Sequence, residues 1–452
     1  MEKTKQQRPL FFFRVKVFFC IFFLILGYNL VIKGGISMNP FKELPKDTKL
    51  SYPNWGNLAV KSYDKNATSP YTKTRVILMN GTEFESNWFL HHFNRHCLNN
   101  DVRRVLASVR RQEQFQQKRI SALKPIDESI LETTIAYEQL AVDLTADMAK
   151  KEPNPFVKAQ LDFALLEDFD HLYRYANLLD MEEGVHAERL VGGYTEITPA
   201  RPTISEHRHP NDDIRRYINS WQDALITRLH TNIITAAEQQ TMNFYMNVGN
   251  IYPNDLGRKL YTEIAMIEEQ HVTGYGSLLD PSCTMFESWV MHEYTECYLY
   301  YSCYQDEEHP QIKKIWLEHF EEELKHLKIA SEMLKKYEGR DWQQLFVSGA
   351  DFPELIRLRE NKEYIREVIK SVRLTGNFED IVPLDTVSDN HEFFKYQRQV
   401  NSNVNKVASH VVIDKYIKKS GEDYRYEDKP SVEKTLRDRS VDNTDLARKK
   451  GK

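Results

Sequence analysis

Apolar residues along most of this chain return every three or four positions, the period of a helix with one buried face, and the runs come in pairs. In residues 127–151 the inward set is Ile130, Thr134, Tyr137, Leu140 and Leu144, and the run stops at KEPNP. A second run over 155–179 completes a helical hairpin. Another hairpin is expected over 211–248 and 254–279, split by GNIYPND, and a third over 284–304 and 310–337, split by QDEEHP. The stretch 181–210 between the first two is far longer than an ordinary helix connection. Upstream, residues 38–82 are dense in Pro, Asn, Ser and Thr and read as an extended arm. Two helices follow, ESNWFLHHFNRHCL and NDVRRVLASVRRQEQFQQKRISAL, the second opened by an Asn-Asp cap and stopped near Pro125. Past Asp341 the pattern weakens to one helix within DFPELIRLRENKEYIREVIKSVRL, a mixed stretch over 377–410, and a charged tail from Lys418 that is expected to be disordered. No segment reads as a sheet, so the expected class is all-α. The expected divisions are an apolar segment 1–37, an arm with two helices 38–125, three hairpins 126–340, a helical extension 341–417 and the tail 418–452.

Composition narrows the functional classes. With 452 residues and 41% hydrophobic content the chain can bury a sizeable core, and its net charge of −5, mixed along its length, lacks the basic footprint of a nucleic-acid binder. Nucleic acid is therefore not an expected partner. The five cysteines form no CxxC pair, which argues against a disulfide framework, a zinc ribbon or a rubredoxin-type iron site. The apolar run VFFCIFFLILGYNLVI (residues 17–32) follows Lys3, Lys5, Arg8, Arg14 and Lys16, the pattern of a membrane anchor. Against it stands Met38 as the true start, because KGGISM can be encoded by a purine-rich run ahead of an ATG. A cytoplasmic protein is expected in that case.

The second helix of each hairpin carries an acid and a His at i, i+3: Asp168 with His171, Glu268 with His271, and Glu323 with His326. Such a pair shares one helix face and can point at one ion. The spacing alone is common in an acid-rich chain, since His186, His209 and His309 show it too. Those three lack what the hairpins have, a Glu thirty residues before the acid: Glu138, Glu238 and Glu293. Two antiparallel helices with a short turn bring residues about thirty apart to one level. Each hairpin then offers Glu, acid and His together. Two hairpins give four carboxylates and two imidazoles, a hard, mostly oxygen set suited to iron or manganese.

On these residues the chain resembles the ferritin-like superfamily, and within it the rubrerythrins and related di-iron carboxylate proteins. The resemblance covers residues 127–337. It implies a four-helix bundle, extended here by an additional hairpin and flanking helices, that binds two iron or manganese ions and reduces peroxide, activates dioxygen or oxidises ferrous iron. It also implies that His171 and His271 each hold one metal, that Glu138 and Glu238 are terminal ligands, and that Asp168 and Glu268 bridge. The family's long crossover between its second and third helices selects the hairpins of Glu138 and Glu238 as the pair. Pairing of the second hairpin with the third is the alternative, because Glu293 and Glu296 stand one turn apart, as in the extra-Glu helix of rubrerythrins. Asp168 departs from the usual Glu, and Glu167 beside it can reach His171 by i, i+4 instead. Without rubredoxin cysteines an external electron donor or an organic substrate is needed as reductant, and a homodimer is a further expectation. An oxygenase of an organic substrate and a non-enzymatic helical scaffold are the rival functions.

Other features carry plainer expectations. His92 and His96 in WFLHHFNRHC read as polar residues of a packed helix, and SEHRHP (205–210) as an exposed loop. The tyrosines of YTECYLYYSCY and the thiols of Cys283, Cys297 and Cys303 read as core.

Overall fold

The computed structural model describes residues 38–426 and 430–437. The chain divides into two compact units, Met1–Asn39 and Pro40–Lys452, and the described helices belong to the second. Eight long helices carry it: α1 (Pro70–His96), α2 (Asn100–Ser121), α3 (Ile130–Lys151), α4 (Pro155–Glu183), α5 (Leu225–Ile251), α6 (Asp255–Ser277), α7 (Met285–Asp306) and α8 (Pro310–Glu338). They form four hairpins whose connections are residues 97–99, 152–154, 252–254 and 307–309. The described chain is predominantly helical, as the periodicity predicts.

The hairpins repeat. The offset from Pro70 to Leu225, from Ile130 to Met285 and from Pro155 to Pro310 is 155 residues in each case. Local chemistry repeats with it. Ser129 with Glu132 and Thr284 with Glu287 form capping boxes ahead of α3 and α7. Both α4 and α8 open on Pro and stop at a left-handed glycine, Gly184 (φ 66°) and Gly339 (φ 68°). The chain thus holds two copies of a four-helix unit, α1–α4 and α5–α8, joined by residues 184–224.

The copies exchange partners. The α3/α4 hairpin packs on α5/α6, through α3 against α5 and α4 against α6, forming an inner quartet. The α1/α2 hairpin packs on α7/α8, through α1 against α7 and α2 against α8, forming an outer one. Contacts of α1 with α3 and α5 join the two. At that seam a Cβ on Gly81 would lie 2.7 Å from Cβ of Gln240 and 3.3 Å from the Ala236 carbonyl oxygen, so glycine lets α1 and α5 approach.

Several boundaries differ from those expected. Helix α1 starts at Pro70, inside the stretch that reads as an arm. It touches α2, α3, α5 and α7, so every residue from Thr72 to Met79 is buried, polar ones included, and no apolar stripe marks it. Helix α5 starts at Leu225 rather than near 211, after 3-10 turns at Thr203–Ser205 and Pro210–Asp213. The absence of sheet needs correction too: β1 (Leu374–Asn377) pairs antiparallel with β2 (Asp380–Pro383), Leu374 opposite Pro383 and Asn377 opposite Asp380. Four-residue strands are too short to show an alternation. Three shorter helices follow α8, namely α9 (Lys362–Val368), α10 (Glu392–Asn401) and α11 (Ala408–Ser420), and α11 packs on α4 and α6.

The tail is ordered further than its charge implies. Arg425 donates to Asn177 Oδ1 at 2.7 Å, and Leu436 is fully buried; residues 438–452 lie outside the described residues. The membrane-anchored reading is also corrected: among the described residues no helix is long and apolar enough to cross a membrane. The apolar run 17–32 on which it rested lies outside the described residues.

Candidate metal centre

The inner quartet brings all six residues of the first two hairpins to one place. Glu138 comes from α3, Asp168 and His171 from α4, Glu238 from α5, and Glu268 and His271 from α6; each is at most 1% exposed. The i, i+3 spacing puts acid and imidazole on one face, and the short connection levels the Glu of the preceding helix with them. Glu268 sits between the imidazoles, Oε1 2.8 Å from His171 Nδ1 and Oε2 3.1 Å from His271 Nδ1. The ring centroids are 5.9 Å apart.

Two groups of donor atoms result, each within 4.8 Å: Glu138, His171 and Glu268, and Asp168, Glu238, Glu268 and His271. Either could hold a metal ion. Glu268 alone is common to both, so only one of the two expected bridging acids spans the groups. Asp168, a methylene shorter than Glu, falls in the group of His271, with Oδ1 3.4 Å from its Nδ1. Glu138 Oε2 and both carboxylate oxygens of Asp168 and Glu238 have no hydrogen-bond partner, and neither does Nε2 of His171. So many orphaned donors in one buried space fit a cation, because unpaired buried charge is costly.

The electrostatics agree. Burial pushes the carboxyls of Asp168 and Glu138 well above the carboxylate range and that of Glu238 up to about 7. Glu268 suffers the same burial, yet the facing imidazoles, His171 foremost, hold it at about 2. Burial would strip the proton from His271, but Glu167, Glu238 and Glu268 keep it well above the imidazole range.

The choice between Asp168 and Glu167 resolves into two jobs. Asp168 faces the donor cluster, while Glu167 accepts from His271 Nε2 at 2.6 Å and leaves Nδ1 turned inward. Glu167 is itself gripped by Arg208 Nη1 at 2.6 Å and Arg201 Nη1 at 3.4 Å. Burial raises its carboxyl, and Arg208 then His271 overcome this and hold it well below the carboxylate range. Arg208 also donates through Nε to Asp213 Oδ1 at 2.8 Å and through its backbone N–H to Gln270 Oε1 at 2.7 Å. These arginines come from the long connection, so SEHRHP is not an exposed loop: Ser205, Glu206, His207 and Arg208 are all buried. Charged residues bury there because Glu167 and Asp213 supply the counter-charge. A cavity of about 470 Å³ shares Arg208 and Gln270 with this network.

The third hairpin touches the second through α7 and α5 but shares no donor cluster with it. Glu293 and Glu296 on α7, with Glu323 and His326 on α8, lie in the outer quartet facing Glu83 of α1 and Glu113 of α2. The alternative pairing is thereby corrected, since α7/α8 packs on α1/α2. Glu83 and Glu113 escaped the sequence reading, although they stand thirty residues apart like the other three pairs. The residue three past Glu113 is Gln116 rather than His, so a search keyed on His passes over this hairpin.

His92 and His96 are exposed, and His92 stacks on Trp88 with centroids 5.8 Å apart, away from both clusters. Tyr294 and Tyr298 pack in the core against Phe352, as expected. Tyr300 has a further contact, its hydroxyl donating to Glu83. Cys297 and Cys303 are buried and Cys283 half-buried, all as free thiols.

No family model matches the chain, and no match was found among curated proteins or solved structures.

Proposed function

We propose that the inner quartet is a ferritin-like dinuclear centre for iron or manganese, and that the protein is an oxidoreductase acting on dioxygen or peroxide. The observation that carries this reading is Glu268, with one carboxylate oxygen facing each imidazole and orphaned oxygens of Glu138, Asp168 and Glu238 around it. Glu138 and His171 would hold one ion, Asp168, Glu238 and His271 the other, and Glu268 both. Bound iron or manganese would supply the change of oxidation state that carboxylates and imidazoles lack.

The protein's own groups set the conditions for that chemistry. Glu167 fixes which His271 nitrogen faces inward, and the Tyr245 hydroxyl donates to Glu138 Oε1, leaving Oε2 for a ligand. Burial on all sides excludes bulk water. Electrons would come from an external donor, because the chain has no CxxC pair of its own.

The test is metal content and an optical spectrum of chain purified after growth with iron and manganese, followed by peroxide and dioxygen consumption with a chemical reductant. Stoichiometric metal and turnover that His271→Ala abolishes are expected. Trace metal only, or turnover that survives His271→Ala, would sink the proposal.

A further inference from the structure

The 155-residue repeat maps the inner cluster onto the outer quartet position by position. Glu238 corresponds to Glu83, Glu268 to Glu113, Glu138 to Glu293, Asp168 to Glu323 and His171 to His326, while His271 corresponds to Gln116. We infer that the outer quartet is a second metal centre, unlike the first, in which one cation position is all-carboxylate and takes a hard divalent ion such as Mn²⁺.

The geometry follows the mapping except at Glu323, which joins the group of His326 where Asp168 joins that of His271. Glu113, like Glu268, is the acid common to two donor groups: Glu113, Glu293, Glu323 and His326, and Glu83, Glu113 and Glu296. His326 Nδ1 lies 2.9 Å from Glu113 Oε1, 3.0 Å from Glu323 Oε2 and 3.7 Å from Glu293 Oε2. Its Nε2 faces Gln112 Oε1 at 3.4 Å, and Gln112 immediately precedes the shared acid Glu113. Where the inner cluster has the imidazole of His271, the outer one has the carboxylate of Glu296, contributed by the opposite hairpin. Gln116 turns aside and donates to Glu323 Oε1 at 2.5 Å.

Independent of the acid count, the donors are orphaned. Glu83 Oε2, Glu293 Oε2, Glu296 Oε1 and Glu113 Oε2 lack hydrogen-bond partners, and all four residues are at most 1% exposed. The remaining oxygens are held by dedicated donors: Tyr300 on Glu83, Trp289 Nε1 on Glu293 Oε1 at 2.5 Å, and Ser86 Oγ on Glu296 Oε2 at 3.3 Å. Glu83, Glu293 and Glu296 therefore each present one anchored and one open oxygen. Five buried carboxylates face a single imidazole, and cations restore the balance. One imidazole fewer and one carboxylate more shift the set toward harder ions.

The test uses the full chain, stripped with EDTA, dialysed, reloaded with Mn²⁺ alone under anaerobic conditions and desalted before manganese is counted. Wild type should hold about four ions, two per quartet, by the usual capacity of such four-helix sites. Glu268→Gln, which disables the inner centre, should retain about two, Glu113→Gln about two, and Glu296→Gln about three. Circular dichroism establishes that each variant is folded. The inference is overturned if Glu268→Gln retains no manganese, or if folded Glu113→Gln and Glu296→Gln bind as much as wild type. If Glu268→Gln binds as much as wild type while Glu113→Gln binds none, the inner centre fails and the outer one stands.

Discussion

Glu238 makes the metal-free protein sensitive to pH in a direction opposite to ordinary acid denaturation. Burial pushes its carboxyl from 4.5 up to about 7, even against the pull of His271. The native group keeps its proton over a range in which the unfolded group has lost it, so stability contributed below about pH 4.5 is lost as pH rises toward 7. At about 1.4 kcal/mol per tenfold change in ionisation constant, the charged native form costs about 3 kcal/mol. Glu238→Gln has the same shape and no charge. In chelator-treated protein it should therefore match wild type near pH 5 and be more stable by about 3 kcal/mol near pH 8. Urea denaturation at both pH values, with EDTA present, measures this. Added Mn²⁺ should reverse the order at pH 8, since wild type regains a ligand that the variant lacks. Equal pH slopes for wild type and Glu238→Gln in EDTA would refute the reasoning, because the carboxyl would then not be the source of the strain.

Three further substitutions probe separate parts of the structure. Arg208→Ala leaves Glu167 with His271 and the longer of its two arginine contacts, Arg201, and breaking a buried pair in this way should cost about 3–5 kcal/mol in urea denaturation; a loss below 1 kcal/mol would show that Glu167 is not charged. Glu167→Gln keeps the shape but weakens the hold on His271, and should lower metal affinity at the inner centre by about tenfold to a hundredfold in competition with a chelator. Gly81→Ala drives a methyl into Gln240 at the seam between quartets and should destabilise by about 1–3 kcal/mol, whereas a neutral result would mean that α1 and α5 shift apart freely.

How much of this was legible in the sequence depended on what each helix touches. Helices α6 and α8 have one face in a cluster and another toward solvent, so their acid, His and apolar positions stand out at fixed spacing. The inner acid and His cluster, Glu138 to His271, followed from that spacing. Helix α1 has no solvent face along much of its length, and its buried Thr72, Lys73, Thr74 and Arg75 look like loop residues. That hid Glu83, and Gln116 hid Glu113. The arginines at 201 and 208 were unreadable for a different reason: a charge is buried only where a counter-charge waits, and nothing local to SEHRHP reveals that Glu167 lies opposite. Phase within the repeat was equally hidden, because spacings state which residues form a hairpin and are silent on which hairpin it meets.

The exchange of partners between copies also orders events during synthesis. Helices α3 to α6 are consecutive, so the inner quartet can close once residue 277 has left the ribosome, with only residues 184–224 as the loop to be closed. The α1/α2 hairpin is made first and completed last. Its counterpart is α7/α8, and its acids Glu83 and Glu113 must wait unmatched until residue 338 emerges. Loop-closure entropy grows only slowly with length, so the delay costs little in final stability. Its cost is kinetic, in the time an early hairpin spends exposing the surface that α7 and α8 will cover. Truncated or stalled chains should accordingly associate through α1/α2, and the seam at Gly81, which ties α1 to α5, is the contact that would hold the waiting hairpin against the quartet already formed.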